Sequence, residues 1–216
     1  LTNPPRRRKR LSSHIDGTIP PHSTRSVAPR DLRFAIEIDV QDAAHGAFSV
    51  PHEYDYARST QQNYAETAAT AAAAANRQHG TYAALRASLD AEYHGVYSAE
   101  RQAFQDRILG AVVESGVSQK RPWLIYTAGA MGAGKSYAVH WMWSEGVFPI
   151  EELVHIDPDI FKAALPEWDG YVARDALNAG RFTRRETGYM VELAQHEAMR
   201  LSKHVWVDGS LRDGDW

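Results

Sequence analysis

Gly129-Ala130-Met131-Gly132-Ala133-Gly134-Lys135-Ser136 fits the pattern G-x-x-x-x-G-K-[S/T]. The apolar run before it, Trp123-Leu124-Ile125-Tyr126, predicts a strand, and the segment after it predicts a helix. In that setting the glycines let backbone N–H groups turn inward around a phosphate. The helix that starts near Lys135 adds the positive end of its dipole to the same anion. Lys135 is then placed to reach the β- and γ-phosphates of a nucleotide, and the Ser136 hydroxyl to ligate Mg²⁺. Gly129, Ala130, Met131, Gly132, Ala133, Gly134, Lys135 and Ser136 are therefore expected to hold ATP, with Tyr137 directly after them. The plainer alternative is a glycine-rich turn that only joins strand to helix.

Outward from this loop, two more short apolar runs follow, Leu153-Val154-His155-Ile156 and Val205-Trp206-Val207, with helical stretches between them. Such alternation predicts an α/β fold, a three-layer α/β/α parallel sheet of the P-loop NTPase type, over residues 119–216. The second run ends in Asp157-Pro158-Asp159, whose first carboxylate lies 22 residues after Lys135. Ligands of open parallel sheets sit beyond the carboxyl ends of the strands, so both acids are expected near the γ-phosphate. One would orient the proton of an acceptor hydroxyl while the other helps hold the hydrated metal. Two such acids also suit plain helix capping, with Asp159 capping a helix from Ile160. The third run ends in Asp208, expected to act on Mg²⁺ or its waters; Asp208-Gly209 is equally a turn signal. Asp175 to Lys203 reads as largely helical, and Glu192 within it passes for a surface glutamate.

The N-terminal half carries less. Residues 1–30 hold five of the ten prolines and seven Lys/Arg against one acid, Asp16; with −3 overall, the rest of the chain stands at −9. This segment cannot bury enough surface to offset its ordering entropy, so residues 1–64 are expected to be mostly disordered. Arg6 to Arg10 reads as a solvated tail, with a nuclear address or a weak nucleic-acid contact as alternatives. Phe34-Ala35-Ile36-Glu37-Ile38-Asp39-Val40 alternates apolar and polar residues and predicts a strand or an extended docking segment. Residues 65–118 read as a helical extension: an alanine-rich stretch, then a helix capped by Ser98 with Phe104, Ile108, Leu109, Val112 and Val113 at helical spacing. Tyr93 to Tyr97 either seats on the core or stacks on an adenine ring. The acidic body argues against a broad nucleic-acid surface. No cysteine is present, which excludes disulfides and thiolate chemistry. No apolar run reaches the roughly 20 residues that span a bilayer. The expectation is an intracellular, cytoplasmic protein, nuclear if the basic run is an address, with no membrane partner.

The P-loop, Ile156-Asp157-Pro158-Asp159-Ile160-Phe161-Lys162, Glu192 and Val207-Asp208-Gly209-Ser210-Leu211-Arg212 together resemble the zeta toxin family of P-loop kinases over residues 120–216. The resemblance implies that Lys135 and Ser136 serve ATP and Mg²⁺, and that Asp159 is the general base. It implies that Asp157 and Glu192 meet the acceptor, and that Ser210 and Arg212 lie near the acceptor or the phosphates, Arg212 as a catalytic group. It also implies ATP-dependent phosphorylation of a sugar hydroxyl, as the bacterial toxins phosphorylate UDP-N-acetylglucosamine. Asp208 stands where those toxins carry glutamate. Family members continue through two more strands and a helical lid that supplies arginines, and the sequence is expected to be a piece that stops before them. Two other functions stay open: an ATP-binding regulatory module that recruits a protein partner through its N-terminal region, and a polynucleotide kinase.

Overall fold

The structure is a computed structural model and describes residues 29–66, 70–130 and 132–209. The expected disorder of residues 1–28 and the basic run, and the expected site residues Met131, Ser210 and Arg212, lie outside them. In chain order the elements are α1 (Pro29–Ala44), α2 (Thr60–Tyr64), β1 (Ala65–Glu66), α3 (Ala71–Ala75), α4 (Ala83–Arg86), α5 (Ala91–His94), β2 (Val96–Tyr97) and α6 (Ala99–Glu114). Then follow β3 (Leu124–Thr127), α7 (Lys135–Ser144), β4 (Leu153–Ile156), α8 (Pro158–Ala164), α9 (Trp168–Asp175), α10 (Ala179–Arg200) and β5 (His204–Asp208).

Strands β3, β5 and β4 form a parallel sheet in that order. Because side chains alternate faces along a strand, the sheet sorts its residues into two layers. Val154, Ile156, Val205 and Val207 enter the larger core with Phe104, Ile108 and Leu109 of α6, Ile160 and Phe161 of α8, and Met190 and Leu193 of α10. Leu153, Trp206 and the half-buried Ile125 face the other way, onto Val139 and Met142 of α7. The α/β/α layering thus follows from the near-continuous apolar strands β4 and β5, buried on both faces, whereas the edge strand β3 leaves Leu124 and Tyr126 exposed. Ser98 caps α6 as expected, its hydroxyl accepting from the Arg101 N–H.

Two expectations fail. Residues 29–64, expected to be mostly disordered with the rest of the N-terminal region, carry α1 and α2 and place Val40 in the core. Phe34 to Val40 is not a strand but part of α1. Ile36, Val40 and Ala44 recur every four residues and pack on the larger core, whereas Ile38, apolar but two residues off that stripe, is 55 % exposed. The two-residue alternation is a short stretch of a longer helical pattern.

The N-terminal elements are fastened to the core by Arg101. Its buried guanidinium donates to Glu167 (3.0 and 3.1 Å) and to Glu186 (2.7 and 3.0 Å), and lies within 4.4–4.8 Å of the Phe48, Tyr64 and Phe104 ring centres. Burial alone would lower the Arg101 pKa, but the two carboxylates more than offset it and hold the pKa raised. Burial likewise pushes Glu186 up, and Arg101 and Gln105 overcome it, leaving its pKa lowered. The Tyr64 hydroxyl donates to Glu167 at 2.6 Å, which brings α2 into the same network.

Candidate functional site

The C-terminal ends of the three parallel strands gather the polar residues. Register pairs Thr127 with Asp208 and Ile156 with Val207, which sets Asp157, one residue past β4, beside Asp208. Parity puts Thr127, Asp208 and Asp157 on the α7 face, in one row across the strand tips, with His155 one step below Asp157. The Thr127 hydroxyl donates to Asp208 Oδ1 at 2.7 Å. The His155 ring stacks on Trp206 at 3.9 Å and 9°. His155 and Asp157 are buried, and ligand atoms of His155, Asp157 and Asp208 lie within 4.8 Å of one another.

From Thr127 the chain enters the glycine loop. Gly132 and Gly134 hold φ of +78° and +82°, where a Cβ would be strained. Gly134 is the N-cap of α7 and offers no side-chain cap, so the first N–H groups of the helix face the loop without an intrahelical acceptor. Lys135 Nζ folds back over the loop and donates to the carbonyls of Gly129 (3.0 Å) and Ala130 (3.5 Å). Ser136 lines a cleft of about 230 Å³ together with His155, Trp206 and Asp208. Tyr137 points outward and is 77 % exposed.

The two acids around Pro158 separate in role. Asp157, not Asp159, is the N-cap: its Oδ1 accepts from the Asp159 N–H at 2.8 Å, and α8 begins at Pro158 rather than at Ile160. Proline suits the first helical position because its missing N–H has no intrahelical partner there. Asp159 is left exposed and pairs with Lys162 at 2.7 Å. It borders a second cleft, of about 440 Å³, whose other wall is α1 with Glu37, Gln41 and Asp42.

Glu192 is not a free surface glutamate. Its Oε2 meets His94 Nε2 at 2.9 Å, and that hydrogen bond, ahead of the opposing effect of burial, holds its pKa lowered. His94 is buried and stacks on Tyr189 (4.5 Å), which stacks on Tyr97 (5.8 Å). The Tyr93–Tyr97 segment therefore seats on the core, and the backbone carbonyls of Tyr93 and His94 accept from Gln61 Nε2.

Sequence reading overlooked His155, Thr127 and His94. The first two were within reach: His155 stands two residues before Asp157, hence on the same face, and Thr127 ends the first strand as Asp208 ends the third. His94 carried no such signal, because its partner lies 98 residues away.

The model of the Zeta toxin family matches residues 105–216. A solved structure from the characterisation of the PezAT chromosomal toxin–antitoxin system of the human pathogen Streptococcus pneumoniae is similar to this chain at 23% identity, with a TM-score of 0.45. The similarity covers 56% of this chain and 50% of that one, so this chain spans about half the length of the solved protein it matches. No curated protein matches. Among the described residues no helix is long and apolar enough to cross a membrane.

Proposed function

Since this chain belongs to the Zeta toxin family, we propose that it binds ATP on the Gly129–Ser136 loop and transfers the γ-phosphate to a hydroxyl of a small molecule. The observation that carries this reading is convergence: the loop, the Ser136 hydroxyl, Asp157 and Asp208 meet at the carboxyl ends of one parallel sheet, and Asp159 follows directly on α8.

Lys135 leaves the Gly129 and Ala130 carbonyls to meet the β- and γ-phosphates, while the uncapped N–H groups of α7 take the phosphate oxygens. Mg²⁺ fits the oxygen donors of Ser136 and Asp208, which line one cleft; when bound it neutralises charge developing on the phosphates. Thr127 holds one Asp208 oxygen, and the carboxylate would offer its other oxygen to the cation. Asp159, exposed to an incoming acceptor and steered by Lys162, takes the acceptor hydroxyl's proton as general base. Glu192 contacts the acceptor, and Ser210 and Arg212 assist at the acceptor or the phosphates. A nucleotide sugar such as UDP-N-acetylglucosamine is the acceptor that the family likeness favours.

The test is transfer of labelled γ-phosphate from ATP to a metabolite extract by the full-length protein. Asp159→Asn is expected to bind ATP as the parent does and to lose transfer by about 10²-fold or more, the usual worth of a general base. Equal transfer by parent and variant contradicts the base assignment. Stoichiometric ATP binding with no labelled product in any extract favours the second reading, a nucleotide-binding regulatory module. That reading draws on residues 29–104, which lie outside the family match yet supply Val40, Tyr97 and Phe104 to the same core.

A further inference from the structure

We infer that His155, Asp157 and Asp208 form a divalent transition-metal site that fills without nucleotide and prefers Mn²⁺ to Mg²⁺. The inference deepens the reading above, in which Ser136 and Asp208 serve a cation that arrives with ATP; here the cation is resident, and its ligand set includes an imidazole.

The donor set comes from adjacent strand ends. His155 and Asp157 project on the same face of β4 and its extension, and register sets Asp208 alongside. Their ligand atoms lie within 4.8 Å of one another. Metal–ligand bonds of about 2.1 Å set three ligands of one ion about 3.0–3.6 Å apart, so side-chain shifts on the order of 1 Å close the site.

Each ligand is already held from behind. One Asp208 oxygen is fixed by the Thr127 hydroxyl, one Asp157 oxygen by the Asp159 N–H, and the His155 ring by the face of Trp206. Such outer contacts fix ligand orientation before the ion arrives, so little order must be supplied on binding. The two neighbouring carboxylates repel each other when both are ionised, and a dication removes that repulsion. The cleft that His155 and Asp208 share with Ser136 gives the ion a way in and joins the site to the glycine loop.

The nitrogen donor sets the choice of metal. Mg²⁺ takes oxygen ligands and holds its water, whereas imidazole suits first-row transition ions. Of these, Mn²⁺ also accepts carboxylates readily, which matches one nitrogen and two carboxylates.

The experiment is titration of this chain with MnCl₂ in the absence of nucleotide, following loss of the free-ion electron paramagnetic resonance signal. One Mn²⁺ per chain is expected, with at least a tenfold excess of Mg²⁺ needed to displace half of it. His155→Phe, which keeps a ring on Trp206 but removes the nitrogen, is expected to weaken Mn²⁺ at least tenfold; its near-ultraviolet circular dichroism, unchanged from the parent, shows that it is folded. Lys135→Ala is expected to lose ATP and keep Mn²⁺, which separates this site from the nucleotide reading. Absence of saturable Mn²⁺ binding up to millimolar concentration overturns the inference. So does equal affinity in His155→Phe and the parent, equal competition by Mg²⁺, or loss of Mn²⁺ in Lys135→Ala.

Discussion

Replacing Arg101 by methionine should uncouple the N-terminal elements from the sheet. The guanidinium is fully buried, makes four hydrogen bonds to two buried carboxylates and sits among three aromatic rings. Methionine fills much of the same volume but leaves Glu167 and Glu186 buried without their cation. Removing one partner of a buried ion pair costs about 3–5 kcal/mol, which for a chain of this size corresponds to a fall in Tm of about 6–20 °C. The deficit must depend on pH. In the parent the Glu186 pKa is held below its ordinary 4.5. The stability it contributes is therefore present above that ordinary value and lost as pH falls through the lowered one. Urea unfolding of parent and Arg101→Met should differ by the full amount at pH 7 and converge below about pH 4.5. A difference under about 1 kcal/mol, or one that does not shrink in acid, would refute the assignment of Arg101 as the tie between extension and core.

Two further outcomes follow from local geometry. Gly134→Ala forces a Cβ into φ +82° at the N-cap of α7, at a cost of about 1–2 kcal/mol, and should weaken ATP binding in calorimetry while the overall circular dichroism stays unchanged. His94→Phe keeps the stack on Tyr189 but removes the donor to Glu192. The Glu192 pKa should then rise toward its ordinary value, so that its ionised form is complete only at higher pH; carboxyl carbon NMR titration reads this directly, and an unshifted Glu192 would contradict the role given to His94.

What the sequence made legible was what periodicity and local chemistry carry. The strand before the glycine loop, the two later strands, the Ser98 cap and the α6 face all depend on residues within a few positions of one another. Phe34 to Val40 misled because seven residues satisfy both a strand alternation and part of a helical stripe; only Ala44 beyond them, next on the Ile36–Val40 stripe, fixes the helical period. The helix cap fell to Asp157 rather than Asp159 because α8 begins two residues earlier than expected, at Pro158, a start that the proline could have announced. Arg101 and His94 stayed hidden for a different reason: their partners, Glu167, Glu186 and Glu192, lie 66, 85 and 98 residues away, and no local pattern distinguishes a buried arginine or histidine from a solvated one. Asp208 and Asp157 were each found at a strand end, but their adjacency required the strand order β3-β5-β4.

The claim on which the functional reading depends is that Gly129 to Ser136 cradles nucleotide phosphates. Isothermal titration of Mg·ATP into this chain and into Lys135→Ala tests it without reference to any acceptor. Saturable one-site binding in the parent, lost or weakened at least tenfold in the variant, is the predicted result. No binding in either chain, or equal binding in both, would contradict it.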